Sequence, residues 1–389
     1  MQRRAFLQTT SALGALSFAA FQSPYANAQD HAPRILVVLL RGGMDGLTAV
    51  APVGDSTYTR IRPTTAVQQT LRLDGSFGLH PALSHLHSIW SQGQLAIVHS
   101  TGFDYSGRSH FEGQDIMQTG MTKPYTSPSG WLGRAMQVAN APGGVAISIP
   151  MPLILRGNPD SVTQYPNWMP SLRRDVADLL PALWAQDEVI APYANVIREQ
   201  NMNQIRGSMS KENFENSRSW PELGRLAGLE MRQPNGPRVG LIDFTHGFDT
   251  HASQGAEQGV HAQQLKELDR LVQAFQVQIG DAWRQTVVVT VTEFGRTAAE
   301  NGTTGTDHGV GTCCFLAGGL IDQSKVYADW RGLKTEQLFE GRDLPASIDV
   351  AAVYAKVMER VFGISPQKIQ DQVIAHKPHA ALKGLLGLG

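Results

Sequence analysis

Arg34-Ile35-Leu36-Val37-Val38-Leu39-Leu40, followed at once by Arg41-Gly42-Gly43-Met44-Asp45-Gly46, is the stretch on which the fold turns. Seven residues without an alternating polar position fit a strand covered on both faces, the kind found at the centre of a parallel sheet. The glycines that end it let the backbone turn sharply and approach a ligand. Asp45 then stands at the end of a buried strand, either as a ligand-binding carboxylate or as the cap of the turn.

Working outward, further strands are expected at Leu95–His99, Val145–Ile149, Leu153–Leu155, Val239–Phe244, Thr286–Thr292 and Cys314–Ala317. Helices are expected at Pro81–Trp90, with proline in the first turn, and at Ser109–Thr119. Between Glu257 and Trp283, apolar residues recur at Leu265, Leu268, Leu271, Val272, Phe275 and Ile279, one stripe of a long amphipathic helix. Asp349–Phe362 repeats the pattern, with Gly363 as its stop. Strands alternating with helices imply an α/β fold whose mainly parallel sheet is covered on both faces. Such sheets place ligands beyond the carboxyl ends of their strands. Residues of roughly 157–235 differ, being rich in Asn, Gln, Arg and Glu with prolines scattered among them, and read as a mostly helical insertion.

The first 28 residues read as an export signal. Arg3-Arg4 precedes an uncharged, alanine-rich stretch from Ala12 to Phe21, and Ala26-Asn27-Ala28 supplies the small residues of a cleavage site. The arginine pair selects the twin-arginine translocation machinery as partner and a periplasmic or otherwise exported location. The apolar run is too short to span a bilayer, and no later segment is long and apolar enough. The chain holds 33 basic and 34 acidic residues, and loss of the first 28 removes two arginines and no acid. A near-neutral chain without a basic run argues against nucleic-acid binding. Cys313 and Cys314, the only two cysteines, are adjacent, which excludes a disulfide framework and suits two small residues in a buried strand.

Four polar clusters follow expected strands. The first carries Asp45. The second, Tyr105 to Phe111, carries Ser109, a helix cap, a nucleophile or an oxyanion binder, with Arg108 beside it to neutralise an anion. The third, His246-Gly247-Phe248-Asp249-Thr250-His251, sets a carboxylate and an imidazole two residues apart, within reach of one metal from a loop. The fourth runs from Glu293 and Arg296 through a glycine-rich loop to Asp307-His308. Glu293 can ligate a metal or pair with Arg296, and His308 can be a ligand or a general acid or base. Groups following four separate strands should gather at one edge of the sheet.

The motifs LRGGMDGL (40–47), SGRSHFEGQD (106–115), GFDTHASQ (247–254), VTEFGRT (291–297), GTDHG (305–309) and GRDLPASID (341–349) together resemble the exported family called domain of unknown function 1501. That family is placed in the alkaline-phosphatase-like superfamily. The resemblance implies a three-layer α/β/α sandwich and a metal-dependent hydrolase of phosphate or sulfate esters. Asp45 takes the place of a carboxylate that binds one metal, and Ser109 that of the nucleophile. Asp249, His251 and His308 take the places of the ligands to the other metal, and Glu293-Phe294 stands where an Asp-His pair is usual. The metal set expected from the sequence is therefore Asp45, Asp249, His251, Glu293, Asp307 and His308, holding a divalent ion (Zn, Mn, Mg or Ca). Ser109 would attack an anionic small-molecule ester while Arg108 or Arg296 balances its charge. The alternative is a non-catalytic binding or assembly protein that keeps the fold. A dinucleotide oxidoreductase is disfavoured, because no G-x-G-x-x-G follows the first strand.

Overall fold

The computed structural model describes residues 32–148, 150–164, 218–233, 235–245, 247–374, 376–377 and 382–388, together with positions 179, 181–183 and 185. The expected export signal, Ile149 and most of the expected insertion lie outside the described residues. The chain divides into two units: residues 1–26 with 166–219, and residues 27–165 with 220–389.

The strands, in chain order, are β1 (Arg34–Leu40), β2 (Val50–Ala51), β3 (Leu71–Arg72), β4 (Gly78–Leu79), β5 (Leu95–Gly102) and β6 (Val145–Ile147). They continue with β7 (Val162–Thr163), β8 (Val239–Phe244), β9 (Thr286–Val291), β10 (Thr312–Ala317), β11 (Lys325–Tyr327) and β12 (Ile348–Asp349). Nine of them form one sheet in the order β11-β5-β10-β9-β1-β8-β6-β7, with β12 also on β5, while β2, β4 and β3 form a small separate sheet. β1 is central, parallel to β8 on one side and β9 on the other, and every one of its residues is buried. Among the described strands of the large sheet, β10 alone runs against its neighbours, β5 and β9.

The helices used below are α1 (Gly46–Ala49), α2 (Ser84–Ser91), α3 (His110–Thr119), α4 (Trp131–Val138), α5 (Trp220–Met231), α6 (Val260–Ile279) and α7 (Val350–Phe362). Successive strand side chains point to opposite faces, and β1 shows what this produces. Ile35, Val37 and Leu39 pack with Ile116 and Met117 of α3, Trp131 and Leu132 of α4, and Tyr354 and Val357 of α7. Leu36, Val38 and Leu40 pack with Leu86 of α2, Leu223 and Ala227 of α5, and Leu265, Leu268 and Phe275 of α6. The expected three-layer α/β/α sandwich with a mainly parallel sheet is therefore present. The stripe on α6 is buried at all six positions named from the sequence, each fully buried side chain contributing about 1.5–3 kcal/mol.

Boundaries differ where local chemistry intervenes. Leu153–Leu155, expected as a strand, is one turn of 3-10 helix; a three-residue apolar run behind Pro152 cannot be told from a buried turn by pattern alone. α2 begins at Ser84 instead of Pro81, where the Asp269 carboxylate of α6 accepts from the backbone N–H groups of His85 and Leu86, both at 2.9 Å. α6 is shorter than its pattern, bracketed by Gly259 and Gly280 at positive φ. Gly363 ends α7 in the left-handed conformation, as expected. Both cysteines are buried and free in β10. Of the segment expected as an insertion, Val162–Thr163 adds the edge strand β7, and α5 belongs to the layer over α6. Among the described residues no helix is long and apolar enough to cross a membrane.

Candidate metal centre and active site

The carboxyl ends of β1, β5, β8 and β9 share one rim. Because β10 is reversed, its start lies at that rim too, so the loop carrying Asp307 and His308 joins from an incoming strand. Gly42 and Gly43 turn the chain off β1 with φ of 110° and 71°. A Cβ at Gly42 would lie 2.7 Å from the Asp249 nitrogen, and one at Gly43 would lie 2.7 Å from the Phe294 ring. The bare backbone is what lets the β1 and β8 loops touch. Gly42→Ala is expected to cost about 1–3 kcal/mol through φ alone, with further loss from displacing Asp249. Urea denaturation checks this, and an unchanged midpoint would count against it.

Four groups meet at the rim. The Nε2 atoms of His110 and His308 lie 3.0 Å apart, as do those of His251 and His308. Asp249 reaches all three rings: Oδ1 is 3.0 Å from His251 Nε2 and 3.1 Å from His308 Nε2, and Oδ2 is 3.3 Å from His110 Nε2. One ligand atom each from His110, Asp249 and His308 fit within 4.8 Å of one another.

The other ring nitrogens explain the convergence. His110 Nδ1 is 2.8 Å from Glu293 Oε1, His251 Nδ1 is 3.0 Å from Asp307 Oδ1, and His308 Nδ1 is 2.8 Å from the Arg108 carbonyl oxygen. Each partner can only accept, so each Nδ1 carries the hydrogen, and a ring in its neutral form turns the Nε2 lone pair inward. With the rings neutral, the Nε2 atoms 3.0 Å apart need a shared cation, metal ion or proton, between them. Imidazoles oriented by carboxylates or carbonyls in this way are the usual support of metal-binding histidines. The donor set thus fits a divalent metal on His110, Asp249 and His308, with His251 against Asp249 and His308 at its open side.

Charge and burial are graded across the site. Glu293 and Arg296 are almost wholly buried, whereas Asp249, His251 and Asp307 are exposed. Although burial works against it, the Arg296 guanidinium, 2.7 Å from Asp249 Oδ1, holds that carboxyl below its ordinary range. The hydrogen bond to Glu293 raises the His110 imidazole, while burial lowers that of His308. Glu293 stays below its ordinary range despite burial, through bonds from His110, Gln114 and the Gly42 N–H. The Phe294 ring lies 4.8 Å from the His110 ring and 4.9 Å from that of His308, a wall against both imidazoles.

Of the residues singled out from sequence, Asp249, His251 and His308 are brought together. Glu293 and Asp307, expected as ligands, instead sit one bond further out, each orienting a histidine. Asp45 stands apart: Arg62 forks onto its two oxygens at 2.5 and 3.1 Å, Thr48 and Gln254 donate to Oδ2, and the Leu47 N–H donates to Oδ1. Its carboxylate is wholly occupied and caps α1.

The two arginines also differ from expectation. Arg108 spends its guanidinium on Asp343 and Glu340, and only its carbonyl reaches the cluster. Arg296 is buried against Asp249 and Thr306, away from solvent. Ser109 takes the N-cap position of α3 without a side-chain capping bond, half-buried between Arg108 and His110, two residues that touch the cluster.

His110 carried no role in the sequence reading; the signal available was its place directly after Ser109 in the second cluster. His246 lies outside the described residues. His99 and His261 are a different kind of histidine, fully buried and driven down by burial to about 4 and about 3, hence neutral.

Residues 209–374 match the model of a family described as protein of unknown function (DUF1501). The DUF1501 match contains Asp249, His251, Glu293, Arg296, Asp307 and His308 and stops short of Ser109 and His110 on the N-terminal side. No curated protein matches the chain. Among solved structures, PsFucS1 sulfatase from Pseudoalteromonas sp. is similar at 10% identity, over 94% of this chain and 74% of that one, with a TM-score of 0.39. The C-terminal periplasmic domain of EcEptC from Escherichia coli, in complex with Zn, is similar at 11% identity over 74% and 73% of the two chains, with a TM-score of 0.35. Murine ectonucleotide pyrophosphatase / phosphodiesterase 5 is similar at 10% identity over 68% of this chain, which spans 57% of that protein's chain, with a TM-score of 0.33.

Proposed function

We propose that the protein is an exported, metal-dependent hydrolase of a phosphate or sulfate ester, carried through the twin-arginine machinery in folded form. The observation that carries the reading is the convergence of three imidazole Nε2 atoms on Asp249, each ring fixed from behind by an acceptor. Imidazole-rich ligation favours zinc over magnesium, calcium or manganese. A bound ion of this kind supplies Lewis-acid polarisation of an ester oxygen.

The chain's own residues do the rest. Ser109, at the amino end of α3, attacks phosphorus or sulfur; its oxygen forms the new bond, its proton goes to the departing ester oxygen as the alcohol leaves, and water then cleaves the covalent serine ester, releasing phosphate or sulfate and restoring the hydroxyl. The helix end it caps favours the negative charge of the substrate. Arg296 keeps Asp249 ionised and aimed, and Glu293 and Asp307 hold His110 and His251 in one tautomer. Phe294 keeps water from one side of the cluster.

The test is elemental analysis of the purified exported protein, with turnover of aryl phosphates and aryl sulfates by wild type and Ser109→Ala. Stoichiometric metal is expected, with turnover reduced on the order of a thousandfold or more by the substitution. Absence of both metal and turnover would overturn the proposal. A second reading, a binding or assembly protein that retains the fold, draws on Phe294, an apolar ring where another ligand is usual. Tight metal binding without turnover on any ester, and no change with Ser109→Ala, would select it.

A further inference from the structure

Behind the rim, a chain of buried polar groups leads from Asp45 to Asp249. The Gln254 carboxamide, wholly buried, uses both its ends. Its Nε2 donates to Asp45 Oδ2 at 2.7 Å and to Thr48 Oγ1 at 3.1 Å. Its Oε1 accepts from Thr306 Oγ1 at 2.6 Å and from Thr250 Oγ1 at 2.7 Å. Thr306, also wholly buried, accepts from Arg296 Nε at 3.2 Å through the same hydroxyl, and its carbonyl accepts from Arg296 Nη2. Arg296 Nη1 then donates to Asp249 Oδ1 at 2.7 Å.

Every donor and acceptor in this chain has one consistent direction, and Asp45 sets it. Paired with Arg62, Asp45 is an ionised carboxylate that can only accept. It therefore turns the amide end of Gln254 toward itself and the carbonyl end toward Thr306. That carbonyl takes the Thr306 hydroxyl hydrogen, which leaves the hydroxyl's lone pair for Arg296 Nε. With Nε and Nη2 both anchored, the planar guanidinium has one orientation, and Nη1 meets Asp249. Unsatisfied members of such a buried network are costly, so the polarity at one end is enforced at the other.

We propose that Gln254 and Thr306 are positioning residues that transmit the polarity of the Asp45–Arg62 pair to Arg296, and that Asp45 thereby serves the metal centre by orienting Asp249 from a distance and not by coordination. This rests on the metal centre proposed above. Nothing in the chain of bonds requires the metal to be bound, so the arrangement also exists in the metal-free protein.

The experiment uses the full exported protein with Thr306→Val, which exchanges a hydroxyl for a methyl at nearly constant shape, and Gln254→Leu as a second variant. Asp269→Asn, at the unrelated cap of α2, controls for general loss of stability. Two readouts are taken. The first is exchange of the Arg296 Nε–H with solvent, followed by 15N NMR in metal-free protein. It is expected to be protected in wild type and Asp269→Asn, and at least about tenfold faster in Thr306→Val. The second is zinc affinity by titration calorimetry, expected to fall about 10–100-fold in Thr306→Val and Gln254→Leu, the usual effect of losing an outer support, with no change in Asp269→Asn. Unchanged Arg296 exchange in Thr306→Val overturns the inference whether or not zinc binds. Wild type that binds no zinc, with exchange altered as expected, overturns the metal centre and leaves the relay standing. Altered exchange with unchanged zinc affinity overturns the claim that the relay serves the metal.

Discussion

His110→Ala is expected to eliminate tight zinc binding by the folded protein. The substitution removes one of the candidate ligand nitrogens and the ring that ties Glu293 to the cluster at 2.8 Å. The loss should exceed the roughly 10–100-fold that removal of an outer support costs, because a donor itself is gone. Titration calorimetry measures it directly, and thermal unfolding gives an independent view. Zinc present at about a hundred times its dissociation constant stabilises a binding protein by about 2.7 kcal/mol. Wild type should show that gain and His110→Ala none. Equal affinity in the two proteins would remove His110 from the centre and leave only the three residues legible in the sequence.

The second large effect is on stability. Arg62→Met should destabilise the fold by about 3–5 kcal/mol, because it strands the Asp45 carboxylate without its guanidinium where neither group touches solvent. Replacing both partners by apolar residues should recover part of the loss, since no charge is then left alone. The sign with pH follows from the wild-type carboxyl. Burial opposes ionisation, but Arg62 outweighs it and holds Asp45 well below the ordinary range. Its contribution is thus full above the unfolded-chain value near 4 and is lost as pH falls through the depressed folded value. In Arg62→Met, burial acts unopposed by that guanidinium and raises the carboxyl, so acid relieves the stranded charge. The stability gap between variant and wild type should narrow as pH falls, as read by urea midpoints across an acid series. A gap that widens toward acid, or a loss under about 1 kcal/mol, would show that the pair is no buried anchor.

The frame was legible because its signal is local. A run such as Arg34–Leu40 has no soluble alternative to burial, and α6 writes its stripe at helical spacing over twenty residues. Leu153–Leu155 was misread because three apolar residues do not define a period. The site was legible only to the extent that its members share short motifs. Asp249 with His251, and Asp307 with His308, advertise themselves in pairs. His110 does not, standing as one imidazole among the polar residues around a serine, and only closure of the sheet brings it to His308. The distinction between ligand and support is likewise spatial. Glu293 and Asp307 carry the right chemistry for coordination, and a single bond length of displacement gives them another task. Arg62 is the least visible of all: no motif links it to Asp45, and its place follows from burial that composition cannot reveal.

The reversed strand β10 has a consequence for how the molecule is organised. A parallel neighbour would have sent the chain across the sheet after β9 and back again. Here the polypeptide loiters at one edge, and a single uninterrupted passage from Thr292 to His308 delivers Glu293, Phe294, Arg296, Thr306, Asp307 and His308. That one passage thus supplies His308 together with the side chains that orient His110, His251 and Asp249, on a frame whose two apolar interiors lie elsewhere.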